Sequence, residues 1–336
     1  MKTATSIPKY DASKFMGKTH DFLETQLMYA AIELNLFGKL QFPVTIQELV
    51  NQTGYNSRNL ELLLNALTAI NFLRKEGDKF SNLPETNYYL NPGSKMYVGE
   101  HLLYWRDMTN LANVVELVQD GSKKVDFKDQ NGSDFFDFRS MNQGARNTMY
   151  LGRVQKFISL INRYFDKEEE FKVLDMGGGS GIMSIEIARN FPNAKGVVFD
   201  QPFVTELTQE VIEEYKVAEQ ISTQSGNFVT DSFDDKYDLI IASGVLDFVG
   251  DLEKMISKLC DSLNDDGYIY ISTHGINEEF TAPKKYILGW LSSHLNGLDI
   301  LKPDPIIRKT IKDSGLEIIF NDESGLNYMV RKKKYE

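Results

Sequence analysis

The chain has 336 residues, room for two domains, and its formal net charge of −11 makes a polyanionic partner such as nucleic acid a poor match. With 42% hydrophobic and 25% charged residues it can bury a substantial core. No run of about 20 apolar residues offers a membrane span, and the opening MKTATSIPKYDASKF lacks a secretory apolar stretch, so the expected compartment is the cytoplasm. The single cysteine, Cys260, excludes an intramolecular disulfide and a Cys-rich metal site, and no metal centre is expected.

Residues 21 to 40 place Leu23, Leu27, Ala30, Ala31 and Leu34 at helical spacing. Thr45 and Glu48 have the spacing of a capping box, and Gly54 closes the helix they start. A third helix follows, with Leu60, Leu63, Leu64, Leu67 and Ile70 on one face. The segment FLRKEGDKFSNL then reads as a hairpin turning at Glu76-Gly77-Asp78. Three helices and a hairpin make a winged-helix pattern. Residues 86 to 165 read as further helices, with a polar surface loop at 121 to 134 and a long helix from Arg146 to Phe165.

Beyond the charged break at 166 to 170, strands and helices alternate. FKVLDMG, KGVVFD, YDLIIASGVL and GYIYIST read as strands. SGIMSIEIARNF, VTELTQEVIEEYKVA and LEKMISKLCDSL, which contains Cys260 as a packing residue, read as helices. A helix at 305 to 314 and the strands LEIIFN and LNYMVR, an antiparallel edge pair, complete the chain. The expected fold class is α/β, a mainly parallel Rossmann-like sheet with antiparallel C-terminal strands, behind a mainly α winged-helix module. The expected domains are 1–165 and 166–336. The basic run Arg331 to Lys334 reads as a solvated tail.

The informative segment is Val173 to Gly181, in which a buried strand ends at Asp175 and a glycine-rich turn leads into a helix. Glycines permit a tight turn and let a ligand approach the backbone. Asp200 ends the next strand, 19 positions after Gly181, a spacing suited to a carboxylate on a ribose diol. The pattern Gly177, Gly179, Gly181 differs from the G-x-G-x-x-G of a nicotinamide dehydrogenase. It suits a nucleoside ligand without a pyrophosphate, and S-adenosylmethionine is such a ligand.

From about residue 20 to its end the chain resembles the small-molecule O-methyltransferases typified by plant caffeate, animal acetylserotonin and bacterial polyketide enzymes. The likeness rests on Asp175 to Gly181, on Phe199-Asp200-Gln201-Pro202, on Gly226-Asn227-Phe228 and on Ala31 to Phe37. It implies a winged-helix dimerisation module and a homodimer. It also implies S-adenosylmethionine as cofactor, held by Asp175, Gly177, Gly179, Gly181, Asp200, Gln201, Asn227, Phe228 and Ser243. Asn227 stands where the family has aspartate, and an amide can still pair with adenine.

The family's general base is a histidine in Val-Leu-His-Asp-Trp. The matching stretch is Gly244-Val245-Leu246-Asp247-Phe248, so leucine replaces it, and Leu246 cannot take a proton. His274, at the end of GYIYIST, is the alternative base, with His294 behind it; His274 and the retained Asp247 are the candidate catalytic residues. Without the usual base, methyl transfer to sulfur, nitrogen or carbon stands beside transfer to oxygen. The family's Phe-Asn-x-x-Met corresponds to Ala145 to Met149. Trp105, Met149, Tyr150, Leu246, Tyr286 and Trp290 are expected to line a pocket for a small, largely apolar acceptor. The competing readings are a non-catalytic cofactor-binding relative, a cofactor-gated winged-helix regulator and a nicotinamide oxidoreductase.

Overall fold

The capping box forms as its spacing implies: the Thr45 amide donates to Glu48 Oε2 at 2.7 Å and the Glu48 amide to Thr45 Oγ1 at 3.2 Å. This is seen in a computed structural model that describes residues 9–121, 136–233, 235–298 and 300–334. From residue 122 onward, the loop expected at 121 to 134 lies outside the described residues. The chain divides into two compact units, Met1–Leu103 and Tyr104–Glu336.

The first unit runs α1 (Ser13–Glu33), α2 (Leu36–Lys39), β1 (Val44–Thr45), α3 (Ile46–Thr53), α4 (Ser57–Ala69), β2 (Leu73–Glu76), β3 (Lys79–Asn82) and α5 (Pro84–Tyr89). The helix expected over 21 to 40 breaks at Asn35, whose φ of 49° is left-handed. The hairpin turns at Gly77, with Leu73 opposite Asn82 and Glu76 opposite Lys79, and β1 pairs with β3 to make a three-stranded wing. Leu60, Leu64 and Leu67 of α4 bury their stripe against Leu36, Phe37, Leu49 and Phe80.

Helix α6 (Gly99–Met108) crosses the division between the units. The second unit continues with α7 (Val114–Asp120), α8 (Phe138–Met149), α9 (Arg153–Ile161), β4 (Lys172–Met176), α10 (Ile182–Asn190), β5 (Lys195–Asp200), α11 (Pro202–Tyr215) and β6 (Ile221–Ser225). It ends with β7 (Tyr237–Ser243), a 3₁₀ turn (Leu246–Phe248), α12 (Leu252–Ser262), β8 (Leu263–Ser272), α13 (Lys284–Leu295), α14 (Asp304–Asp313), β9 (Leu316–Asn321) and β10 (Asn327–Lys332). The single long helix expected from 146 to 165 is two helices. Gly152, at φ 110°, supplies the bend between α8 and α9. By packing, both helices lie in the second compact unit, α8 on α11 and α9 on α10.

The seven-stranded sheet has the order β6-β5-β4-β7-β8-β10-β9. The first five of these run parallel, and β10 is antiparallel to both β8 and β9. Residues alternate between faces as a pleat requires. Leu174, Ile240, Ile269 and Ile271 pack toward α12 and α14 on one side, and Val173, Leu239, Ile241 and Tyr270 toward α9 and α10 on the other. The expected basic tail is instead the end of β10: Arg331 pairs with Glu317, and Lys332 donates to the Leu263 carbonyl. Cys260 packs half-buried against the core. Among the described residues, no helix is long and apolar enough to cross a membrane, and no group of three metal-ligating side chains gathers.

Candidate active site

The chain leaves β4 for β5 on one side, and after β6 it crosses back to place β7 on the other side of β4, so a crevice opens beyond the C-terminal end of β4. The glycine turn lies there. The Gly177 amide donates to the Phe199 carbonyl at 2.8 Å, which ties the turn to β5. Gly177 has φ 64°, and a Cβ there would stand 2.5 Å from Val245 Cγ1, so glycine is required for conformation and for space. Gly179, φ 58°, is covered by the Asn142 side chain of α8, and a Cβ would collide with that amide. Gly181 is buried, with Thr208 of α11 where its Cβ would go, so it serves helix packing. The glycines therefore let neighbouring side chains close onto the turn, and the Gly177, Gly179 and Gly181 amides donate to Phe199, Asp200 and Gly178.

Asp200 sits half-buried at the end of β5. Its Oδ2 accepts from the Gly179 amide at 2.9 Å and its Oδ1 from the Gln201 amide at 2.8 Å. Burial pushes its pKa up to about 6 against the pull of those two amides. Asp175 is fully buried and is pushed up to about 7, first by burial; the Ser184 hydroxyl, donating at 2.9 Å, draws it down, while the charge of Asp200 adds to the rise. Each Asp200 oxygen keeps a lone pair for a further donor, which is what a ribose diol offers.

Phe228 is buried, borders the position of a Gly177 Cβ beside Val245, and belongs to the sheet core. Asn227 is exposed; its side-chain oxygen accepts from the Val229 amide at 2.9 Å. At the end of β7, Ser243 Oγ accepts from the Arg153 guanidinium at 2.5 Å. The positive charge of Arg153 also acts on Asp175.

The second cluster follows directly after Val245. His274, just beyond β8, has Nδ1 3.1 Å from Asp247 Oδ2, and its backbone amide donates to Asp247 Oδ1 at 3.2 Å. Asp247 is 0% exposed and the His274 side chain 14%. Three rings stand edge-on to the imidazole: Tyr286 at 4.7 Å, Phe248 at 5.6 Å and Trp290 at 5.7 Å between centroids. Trp105 and Phe136 stand edge-on behind Trp290. The Thr273 hydroxyl donates to Asp304 at 2.7 Å and so fixes the strand end that carries His274.

Of the expected pocket residues, Tyr286, Trp290 and Trp105 gather around His274. Leu246 does not: it is fully buried in the sheet core, because its turn points it down onto Leu174 and its neighbours rather than into the crevice. Tyr150 and Met149 are also elsewhere. The Tyr150 hydroxyl donates to Glu186 at 2.9 Å, and both side chains pack among α9, α10 and α11. His294 contacts Phe280 outside the cluster. Arg153 and Asn142 were not marked by the sequence. A Gly-Arg pair at the head of a helix is a weak signal, and Asn142 is identified only by its closeness to Gly179.

A glycine turn at a sheet's switch point, with a carboxylate ending the next strand, is the arrangement of a class I methyltransferase. Family models agree. One described as a methyltransferase domain matches residues 150–302, and one described as an O-methyltransferase dimerisation domain matches residues 16–100. The chain is 26% identical over 273 residues to 3-hydroxy-5-methyl-1-naphthoate 3-O-methyltransferase of Streptomyces sahachiroi, covering 77% of this chain and 76% of that one. It is 25% identical over 284 residues to the tetracenomycin polyketide synthesis 8-O-methyl transferase TcmO of Streptomyces glaucescens, covering 82% of each. Human N-acetylserotonin methyltransferase, solved in complex with S-adenosylmethionine, superposes with a TM-score of 0.78 at 19% identity, covering 98% of this chain and 100% of that one. The chain belongs to the S-adenosylmethionine-dependent O-methyltransferases that join a dimerisation domain to a methyltransferase domain.

Proposed function

We propose that the protein methylates an oxygen of a small, largely apolar aromatic acceptor, with His274 in place of the base lost at Leu246. The observation that carries this is the His274–Asp247 pair inside a ring of aromatic side chains, at the crevice edge of the sheet. With Nδ1 turned to Asp247, His274 leaves Nε2 to take a proton from a hydroxyl. Asp247 is a positioning residue that holds the ring and its tautomer. The relatives named for aromatic hydroxyl methylation support the acceptor class.

The residues present suit the cofactor: Asp200 ends its strand beside the glycine turn and has lone pairs to spare. In this reading Asp200 holds the ribose, the turn and Arg153 receive the amino acid end near Ser243, and Asn227 and Phe228 flank the adenine. When bound, S-adenosylmethionine supplies an electrophilic methyl group on a sulfonium. The protein aligns the acceptor oxygen, excludes water with its aromatic ring and accepts the released proton at His274. Residues 1–165 then supply dimerisation, acceptor enclosure and Arg153, and 166–336 the rest of the cofactor site. The test is a mass-spectrometric screen of naphthols and hydroxy-polyketides, in which one methyl group is added to at least one phenol. If purified protein binds neither S-adenosylmethionine nor S-adenosylhomocysteine in calorimetry, the reading fails.

A homodimer belongs to the same proposal. Phe15, Met16, Phe22 and Leu23 of α1 are each half or more exposed, an apolar stripe that a second copy would cover. Light scattering at micromolar concentration is expected to give a dimer mass, and the double substitution Phe15→Asp, Phe22→Asp a monomer. A monomeric parent protein would reject the dimer.

A further inference from the structure

In the second unit, among the described residues, the buried side-chain polar atoms without a hydrogen-bond partner are Asp247 Oδ2, His274 Nδ1, Trp290 Nε1, Ser293 Oγ and Tyr328 OH. The first two face each other at 3.1 Å. Trp290 and Ser293 have no such companion, although one is 5% and the other 0% exposed. Buried donors are normally satisfied, and an unsatisfied one costs stability that a bound ligand recovers. Tyr286, Trp290 and Ser293 are spaced i, i+4, i+7 along α13, which puts them on one face of that helix. The same face is the one against His274, since Tyr286 and Trp290 both contact its ring.

We infer that this face of α13 reads a second oxygen on the acceptor: the Trp290 indole N–H and the Ser293 hydroxyl bind a carbonyl next to the hydroxyl that is methylated. The inference rests on the reading of His274 as base and narrows its acceptor to hydroxylated aromatic ketones and quinones. The chemistry follows from the donors. An indole nitrogen can only donate, so its partner must be an acceptor atom, and a carbonyl has two lone pairs for two donors. The carbonyl is neutral, which suits a buried aromatic enclosure better than a carboxylate would. A phenol without that oxygen leaves both donors unpaired, and a site built for hydrogen bonding rejects such an analogue.

The test is calorimetry on the full-length protein loaded with S-adenosylhomocysteine, titrated with 8-hydroxy-1-tetralone and with the same bicyclic phenol lacking its carbonyl. The parent protein is expected to bind the tetralone about tenfold more tightly. Trp290→Phe keeps a ring and removes the donor; Ser293→Ala removes only an oxygen. Each is expected to shrink the preference to about threefold or less, with S-adenosylhomocysteine affinity kept as evidence of folding. If Trp290→Phe loses that affinity, Ser293→Ala carries the test alone. Equal or absent binding of the two probes by the parent protein, or a preference that survives in the variants, overturns the inference. The two readings separate in His274→Gln, in which methylation without loss of rate sinks the base while the binding preference stays in place.

Discussion

His274→Gln is expected to lower the methylation rate by a factor of about 10² to 10⁴, the usual worth of a positioned general base, with S-adenosylhomocysteine binding unchanged. Glutamine retains a polar side chain among the aromatic rings but cannot take a proton. The Asp247 carboxylate, fully buried, then loses its ring partner at 3.1 Å, so folding must be checked by thermal melting alongside the rate. In His274→Gln the residual rate is expected to rise with pH as the acceptor hydroxyl ionises in solution, because no side chain is left to take its proton. Asp247→Asn should leave the ring in place but weaken its preference for the productive tautomer, lowering kcat more than it raises KM. A His274→Gln variant that methylates at the parent rate, on an acceptor not already anionic, would remove the histidine from the reaction.

Much of the architecture was legible because local chemistry and tertiary structure agree. Thr45 and Glu48 satisfy each other's backbone in the folded chain as the spacing alone implies. The glycine turn and Asp200 are close in sequence and are joined directly through the Gly179 amide. Strand β6 was missed because its residues, Ile221 to Ser225, are mostly polar; it is an edge strand with one fully buried side chain. The bend at Gly152 was missed because apolar spacing continues across it. The pocket was the least legible part, since an aromatic residue looks the same in a core and in a cleft. Tyr150 and Tyr286 differ only in what folding sets beside them, Glu186 in one case and His274 in the other. His274 could be placed from the sequence, at the end of a parallel strand. Its pairing with Asp247, 27 positions away, required the structure.

Asp200→Ala is expected to weaken S-adenosylhomocysteine binding by about 10²-fold, since it removes the ionised acceptor proposed for two ribose hydroxyls, and charged hydrogen bonds contribute about 1.5–3 kcal/mol each. It also strands the Gly179 and Gln201 amides, which now point at the carboxylate. Asp200→Asn, which keeps one oxygen acceptor, should lose less. The dependence on pH separates ribose binding from mere support of the turn. Asp200 is pushed up to about 6, and a bound diol favours its ionised form, so affinity is complete above that value and declines as pH falls through it. Asp175 titrates at about 7, and its protonation relieves repulsion on Asp200, which softens the decline. Stability of the free protein runs the other way. Both carboxyls have folded values above the ordinary carboxylate value of 3.8, so their contribution is present at low pH and is lost as pH rises through about 6 and about 7. The thermal shift produced by S-adenosylhomocysteine should therefore be larger at about pH 8 than at about pH 5. In Asp200→Asn the shift should be smaller and nearly independent of pH, while the free variant melts above the parent at about pH 8, because no charge is buried at that position. A pH-dependent shift of full size in Asp200→Asn would mean that the ribose is held elsewhere.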